Sequence, residues 1–291
     1  MALIHLDFES QYCGYNQDVY IIVPDKKRTE TPEEFYRRDR RYKVLWLLHG
    51  TFGGYSDWIR KSNIETYACE KDLMVVMPGV GNTDYEEWNN FTQGYDSCRY
   101  IVDELMPLVQ AWLPASDKRE DNFVAGLSMG GGGALKLAVN YPDKFEAAAI
   151  LSSAPQDLDG NRAELEKLFN KSRKQVIAED KPGAFREIRT YNQMHRFDTL
   201  DEYLDSISNS WRRIDKAVAD KTPLPRLFFS IGTEDMGFER WTKWKAHAQE
   251  IGLDAVFVTG PGIHEWRVWE RDIQRAIEFF GLDNEVKGNV F

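Results

Sequence analysis

The sharpest chemical signal in the chain is Gly126-Leu127-Ser128-Met129-Gly130. A serine hydroxyl is a weak nucleophile until a base takes its proton and the backbone presents it clear of its neighbours. The G-x-S-x-G pattern supplies such a turn when an apolar strand precedes it and a small-residue helix follows. The residues two before and two after the serine then come close together, so both must be tiny. Asn122–Leu127 reads as the strand, and Gly131, Gly132 and Gly133 open a helix able to pack tightly on a sheet. The positive end of that helix would face charge developing on a substrate oxygen. A phosphate loop fits worse. Ser128 stands where G-x-G-x-x-G needs its second glycine, and Gly131 is followed by Gly132 where a Walker loop needs lysine. A glycine-rich turn without chemistry is the bland reading, and the flanking strand and helix weigh against it.

A serine nucleophile needs a base, and the chain has five histidines. His5 falls in an N-terminal strand region, His49 ends an apolar strand, His195 lies in a charged stretch and His247 within a helix pattern. His264 sits in the loop Gly260-Pro261-Gly262-Ile263-His264-Glu265-Trp266, after the last expected strand. A nucleophile on a strand–turn–helix takes its partners in the order serine, acid, histidine, with the histidine beyond the last strand. Only His264 fits. The acid should follow the next-to-last strand, Leu227–Ile231, where Glu234 and Asp235 compete. Asp235 is the choice by turn position, with Glu234 open as its rival. The acid would hold the imidazole in the right tautomer; its bland reading is a turn-forming or capping carboxylate. Two backbone N–H groups should meet the oxyanion, one from Met129 and one from the His49–Gly54 loop, assigned to Thr51. Each such donor is worth about 3 kcal/mol to a transition state. The base must be neutral to act, so activity should fall in acid.

These residues need a scaffold, and the pattern supplies one. Val19–Pro24, Val44–Leu48, Leu73–Met77, Asn122–Leu127, Ala147–Leu151, Leu227–Ile231 and Ala255–Val258 read as strands. Several are unbroken apolar runs, as strands covered on both faces require. Tyr100–Leu113, Gly132–Asn140, Phe238–Ile251 and Trp266–Phe280 read as helices, and Lys26–Arg41 as a solvated loop or short helix. Strand–helix alternation implies a mostly parallel sheet with helices on both faces, its chemistry at the carboxyl ends of the strands. The charged stretch 156–221 breaks the rhythm, with Thr199 and Glu202 spaced as a capping box. It reads as a helical insertion into a single domain covering 1–291, placed to lie over the strand ends as a lid.

Composition closes off other classes. A net charge of −10 argues against nucleic-acid or anionic-membrane partners. No run approaches the roughly 18–20 apolar residues that span a bilayer, and the first residues lack the basic start and apolar core of a secretion signal. Cys13, Cys69 and Cys98 form no CxxC pair and fit reduced thiols in a cytoplasm. Closely spaced zinc ligands are missing from the sequence, and no metal or cofactor is expected. The expected partner is a small-molecule ester, and a homo-oligomer is compatible with the chain.

The segments LLHG-TFGG (47–54), GLSMGG (126–131), GTED (232–235) and PGIHEW (261–266) together resemble the esterase D / tributyrin-esterase family of α/β-hydrolases. That family includes the feruloyl and acetyl-xylan esterases of carbohydrate esterase family 1 and the mycolyltransferases. The resemblance runs from about Val19 to Phe280, interrupted by the insertion. It implies an α/β-hydrolase fold and an acyl-enzyme esterase with Ser128 as nucleophile, Asp235 as acid, His264 as base, and Thr51 and Met129 as oxyanion donors. The family often carries a bulkier apolar residue where Thr51 stands. Short acyl esters, acetyl or butyryl, are the first expectation and hydroxycinnamoyl esters the second. An acyltransferase of the same fold and a non-catalytic binding protein on the same scaffold are the alternatives. Trp58 and Trp266 match positions where relatives also tend to carry tryptophan. Trp88 lies in an aromatic segment, Asn82–Tyr95, with Tyr85, Phe91 and Tyr95. These residues are open to two readings, pocket wall or core packing.

Overall fold

A strand such as Val44–Leu48 has no polar face to offer water, so it must be covered on both sides. The computed structural model describes residues 1–26, 28–36, 39–89, 94–179 and 186–282 and meets that demand. Its strands are β1 (Ala2–Glu9), β2 (Asn16–Val23), β3 (Lys43–Leu48), β4 (Leu73–Pro78), β5 (Glu87–Trp88), β6 (Tyr95–Asp96), β7 (Asn122–Leu127), β8 (Ala147–Leu151), β9 (Arg226–Gly232) and β10 (Ala255–Gly260). Eight form one sheet in the order β1-β2-β4-β3-β7-β8-β9-β10, while β5 and β6 make a separate ribbon. Only β2 runs against the others, pairing antiparallel with both β1 and β4. The fold is that of an α/β-hydrolase.

Alternation along β3 divides the core. Val44, Trp46 and Leu48 enter a cluster covered by the helices Met106–Trp112, Met129–Asn140 and Phe238–Glu250. Leu45 and Leu47 enter the opposite cluster, under Ile64–Glu70 and Trp266–Phe280. β1 was legible only as the strand region around His5. It is an edge strand, with Ile4, Leu6 and Phe8 half-buried between exposed neighbours. The helix expected over Tyr100–Leu113 begins as a wide π turn, Tyr100–Leu105, before its α part. Pro107 explains the widening: it has no N–H to give to the preceding turn.

Between β8 and β9 the described residues hold five helices: Arg162–Phe169, Arg173–Glu179, Arg186–Met194, Leu200–Asp205 and Ser210–Ala219. Leu158, Leu165, Met194, Leu200, Tyr203 and Leu204 give this stretch a small core of its own. Half of the expected capping box forms, with Glu202 N–H donating to Thr199 Oγ1 at 3.2 Å. No helix among the described residues is long and apolar enough to cross a membrane.

The register brings the chemistry together. Leu48 lies beside Gly126, Leu127 beside Leu151, Leu151 beside Ser230, and Gly232 beside Gly260. The strands β3, β7, β8, β9 and β10 therefore end at one level, and the loops carrying residues 49–54, 128, 233–237 and 261–265 emerge along a single rim.

Candidate active site

Ser128 sits between β7 and the 12-residue helix Met129–Asn140 with φ 53° and ψ −116°. A non-glycine residue in that region costs on the order of 1–3 kcal/mol and persists where the surroundings over-determine it. They do so here. Ser128 N–H donates to Leu151 O at 2.8 Å. A Cβ on Gly130 would come within 2.6 Å of the carbonyl oxygens of Leu48 and His49, and one on Gly126 would run into the Gly130 carbonyl. Both glycines are required by this close approach, as the motif predicts.

The three side chains expected to act together meet. His264 Nε2 lies 2.9 Å from Ser128 Oγ, and its Nδ1 lies 2.7 Å from Asp235 Oδ2. An ionised carboxylate can only accept, so Nδ1 carries the imidazole hydrogen and Nε2 is left to accept from the serine hydroxyl. Asp235 Oδ1 accepts from Gly237 N–H at 2.8 Å. Burial pushes the Asp235 carboxyl up, but the hydrogen bonds from His264 and Gly237 outweigh it and hold the group below its usual range. The carboxylate is thus ionised, buried and aimed. Trp269 packs edge-on against the His264 ring at 5.0 Å and limits its swing.

Glu234, the rival acid, faces elsewhere. Its N–H donates to Gly262 O at 3.1 Å, and its Oε2 accepts from Gly262 N–H at 2.5 Å. Thr233 N–H adds a bond to Gly260 O at 2.8 Å. Glu234 therefore clamps the loop that carries His264. The Gly262 hydrogen bond lowers its carboxyl pKa.

The loop after β3 lies against the nucleophile: a Cβ on Gly50 would stand 3.6 Å from Ser128 Cβ. Gly53 N–H donates to Gly50 O at 3.1 Å, closing a turn with Thr51 and Phe52 at its corners and Phe52 at φ 62°. Met129 opens its helix, where a backbone N–H has no intrahelical acceptor. His49, the other strand-end histidine, braces this loop from beneath. Its Nε2 accepts from Val80 N–H at 3.1 Å, so its hydrogen sits on Nδ1, 2.8 Å from Gly50 O. Burial holds this imidazole below its usual pKa, hence neutral.

Most of the aromatics that composition offered for a pocket are placed in the core. Trp58 is 1% exposed, with its N–H given to Leu48 O at 3.0 Å. Trp88 is 9% exposed, with its N–H on Thr83 O and the Arg196 guanidinium over its ring. Tyr85 and Tyr95 are buried with their hydroxyls on His49 O and Gln17 Oε1. Phe91 lies outside the described residues. These rings pack the core because each polar tip finds an internal partner. Trp266 is half-buried, edge-on to Trp58 at 5.2 Å and to Trp269 at 5.3 Å. The side chains that stand out along the rim instead are Phe52, Met236 and Ile263, each more than half exposed. Among the described residues no group of three His, Cys, Asp or Glu could hold a metal ion.

A hydroxyl, an imidazole and a buried carboxylate in series, beside a helix N-terminus, can carry out acyl transfer. Comparison with known proteins agrees in kind. The family model described as "Putative esterase" matches residues 26–280. An acetyl esterase of Caldicellulosiruptor saccharolyticus is 24% identical over 282 residues, which is 96% of this chain and 98% of the relative. Two Staphylococcus aureus structures are similar throughout: the fluorophosphonate-binding serine hydrolase FphF, substrate bound, at 28% identity, and the S-formylglutathione hydrolase FrmB at 27%. Each has a TM-score of 0.74 and covers 96% of this chain and 98% of its own. The chain belongs to the esterase family whose model spans its residues 26–280, and it is a serine esterase.

Proposed function

We propose that the protein hydrolyses short-chain acyl esters through a covalent acyl-enzyme on Ser128. The observation that carries this reading is the bridge made by one imidazole, 2.9 Å from the Ser128 hydroxyl and 2.7 Å from the Asp235 carboxylate. His264 takes the serine proton as Oγ attacks the ester carbonyl. The tetrahedral oxyanion forms against the N–H groups of Thr51 and Met129. His264 then passes the proton to the departing alcohol, and the acyl group stays on Ser128. Water, deprotonated by the same imidazole, attacks that ester, and the acid leaves as serine regains its proton. Asp235 stabilises the transient imidazolium.

Acetyl is the favoured acyl group. The similar proteins include an acetyl esterase and an S-formylglutathione hydrolase, both named for small acyl groups. The burial of Trp58, Tyr85, Trp88 and Tyr95 weighs against a hydroxycinnamoyl preference built on these rings. The chain is read as one α/β-hydrolase domain in which 156–221 is a lid, supported by the contact of Arg189 with Thr51. Three unbridged, buried cysteines support a reducing, cytoplasmic setting.

The test is kcat/KM across p-nitrophenyl acetate, butyrate and octanoate, methyl ferulate and S-formylglutathione, with and without added alcohols. The expected order places acetate first among the p-nitrophenyl esters, with free acid as product. A maximum on methyl ferulate would replace the substrate assignment, and alkyl ester products in the presence of alcohol would make the enzyme a transferase.

A further inference from the structure

The loop 49–52 is held from outside at three points. Phe52 N–H donates to Asn82 Oδ1 at 2.8 Å. The Tyr85 hydroxyl donates to His49 O at 2.9 Å. Between these two, the Asp84 carboxylate grips Arg189, which donates from Nε to Oδ2 at 2.9 Å and from one terminal nitrogen to Oδ1. The other terminal nitrogen of Arg189 donates to Thr51 Oγ1 at 3.2 Å. Arg189 belongs to the helix Arg186–Met194, in the stretch between β8 and β9, 105 residues from Asp84 and 138 from Thr51.

The backbone beneath this contact is strained. Asp84 and Tyr85 both have φ of 56°, a region that a bulky non-glycine residue seldom enters. Strain of this kind survives where several groups enforce it, and it collects at functional sites. Here Lys136 Nζ donates to Asp84 O at 2.8 Å, and Gln193 donates to Asp84 Oδ2 at 2.5 Å. The Tyr85 ring fills the space that any side chain at 133 would need. Glu86, next in sequence, is buried between Lys136 and Arg196. Arg189 and Arg196 thus dock the inserted stretch onto Asp84 and Glu86, and Arg189 reaches past the dock to the loop.

We propose that Arg189 is a positioning residue for the oxyanion-binding loop, so that the inserted helix Arg186–Met194 belongs to the catalytic apparatus. The inference rests on the acyl-transfer reading of Ser128 and Thr51. The guanidinium is a flat, rigid fork. With two of its nitrogens fixed on Asp84, the direction of the third is set, and it points at the residue whose N–H is to meet the oxyanion. A lysine has no such fork and cannot serve both partners in fixed geometry. A turn with a left-handed corner at Phe52 has a more relaxed alternative, and the tie to Thr51 Oγ1 opposes it.

The experiment measures kcat and KM on p-nitrophenyl acetate for Arg189→Met, Arg189→Lys, Thr51→Val and the double variant Arg189→Met/Thr51→Val, each per active site titrated with a fluorophosphonate. Asp84→Asn/Arg189→Met is included because it leaves no unpaired buried carboxylate. Misplacing one reacting group by about 1 Å can cost 10²-fold, so kcat should fall about 10- to 100-fold in Arg189→Met, with KM within about twofold. Arg189→Lys should not rescue it. The double variant should be no worse than its more damaged parent. Unchanged kcat per titrated site in both Arg189→Met variants, or losses that multiply in the double variant, would overturn the proposal. A wild type that binds the fluorophosphonate but turns over none of the esters would overturn the hydrolase reading, and this inference with it.

Discussion

Replacing Asp235 by asparagine separates the two candidate acids, because the surroundings decide which way the amide must face. Oδ1 accepts from Gly237 N–H at 2.8 Å, so the amide oxygen is drawn to that side. Its NH2 then takes the place of Oδ2, 2.7 Å from His264 Nδ1. Two donors cannot face each other, so the imidazole must move its hydrogen to Nε2, where it points at Ser128 and can no longer accept. A wrong tautomer in a serine triad lowers kcat by about 10⁴-fold, or about 5 kcal/mol of transition-state stabilisation. Turnover of p-nitrophenyl acetate should show that loss while the folded state survives. Glu234→Gln, by contrast, keeps the N–H bond to Gly262 O and weakens only the second half of the clamp, for about a tenfold loss. The pH dependence of stability gives an independent mark. The carboxyl pKa of Asp235 is lowered on folding. Its contribution is therefore full above the unfolded value of about 3.9 and is lost as pH falls through the lower folded value. The variant should lack that part of the acid limb. An Asp235→Asn enzyme within tenfold of wild type, or a Glu234→Gln enzyme equally damaged, would refute the assignment of the acid.

Two further outcomes follow from the same geometry. The imidazole pKa of His49 is lowered by burial, so the unfolded chain binds a proton there that the native state refuses. Stability should decline as pH drops from about 6.5 toward the lower folded value, by at most about 1.4 kcal/mol per unit; melting curves against pH should show this slope in wild type and lose it in His49→Asn. Trp58→Phe removes the donor to Leu48 O and should cost about 1–3 kcal/mol in urea unfolding, while the acetate-to-butyrate ratio of kcat/KM stays put. A changed ratio with unchanged stability would return Trp58 to the pocket wall.

What could be read from the chain before its fold was known followed from local rules. The turn at Ser128 demands tiny residues at 126 and 130 and a strand before it, and all of these are contiguous in sequence. His264 was found by its place after the last strand and Asp235 by its place after the one before. What escaped were contacts with no local signature. Arg189 and Asp84 are partners across 105 residues, and neither stands out in its own segment. The choice between Glu234 and Asp235 turned on which carboxylate the β9–β10 register directs toward Gly262 and which toward the imidazole. Tyr85, Trp88 and Tyr95 were open to two readings, pocket or core, because composition does not say where a ring's polar tip is satisfied. Tyr85 is spent on His49 O and Trp88 on Thr83 O, bonds that exist only once the segment is folded over the helix Met129–Asn140. The edge strand Ala2–Glu9 did carry a signal, the alternation of Ile4, Leu6 and Phe8. Its half-exposed positions made that signal weaker than the apolar runs of the central strands.

The central claim is that the Ser128 hydroxyl is the one made nucleophilic by His264. It is tested most directly by treating the intact protein with a fluorophosphonate and locating the adduct by peptide mass spectrometry. The account predicts one adduct per chain, on Ser128, absent in Ser128→Ala and formed far more slowly in His264→Ala. An adduct on any other residue, or a Ser128→Ala protein that still hydrolyses p-nitrophenyl acetate at the wild-type rate, would contradict it.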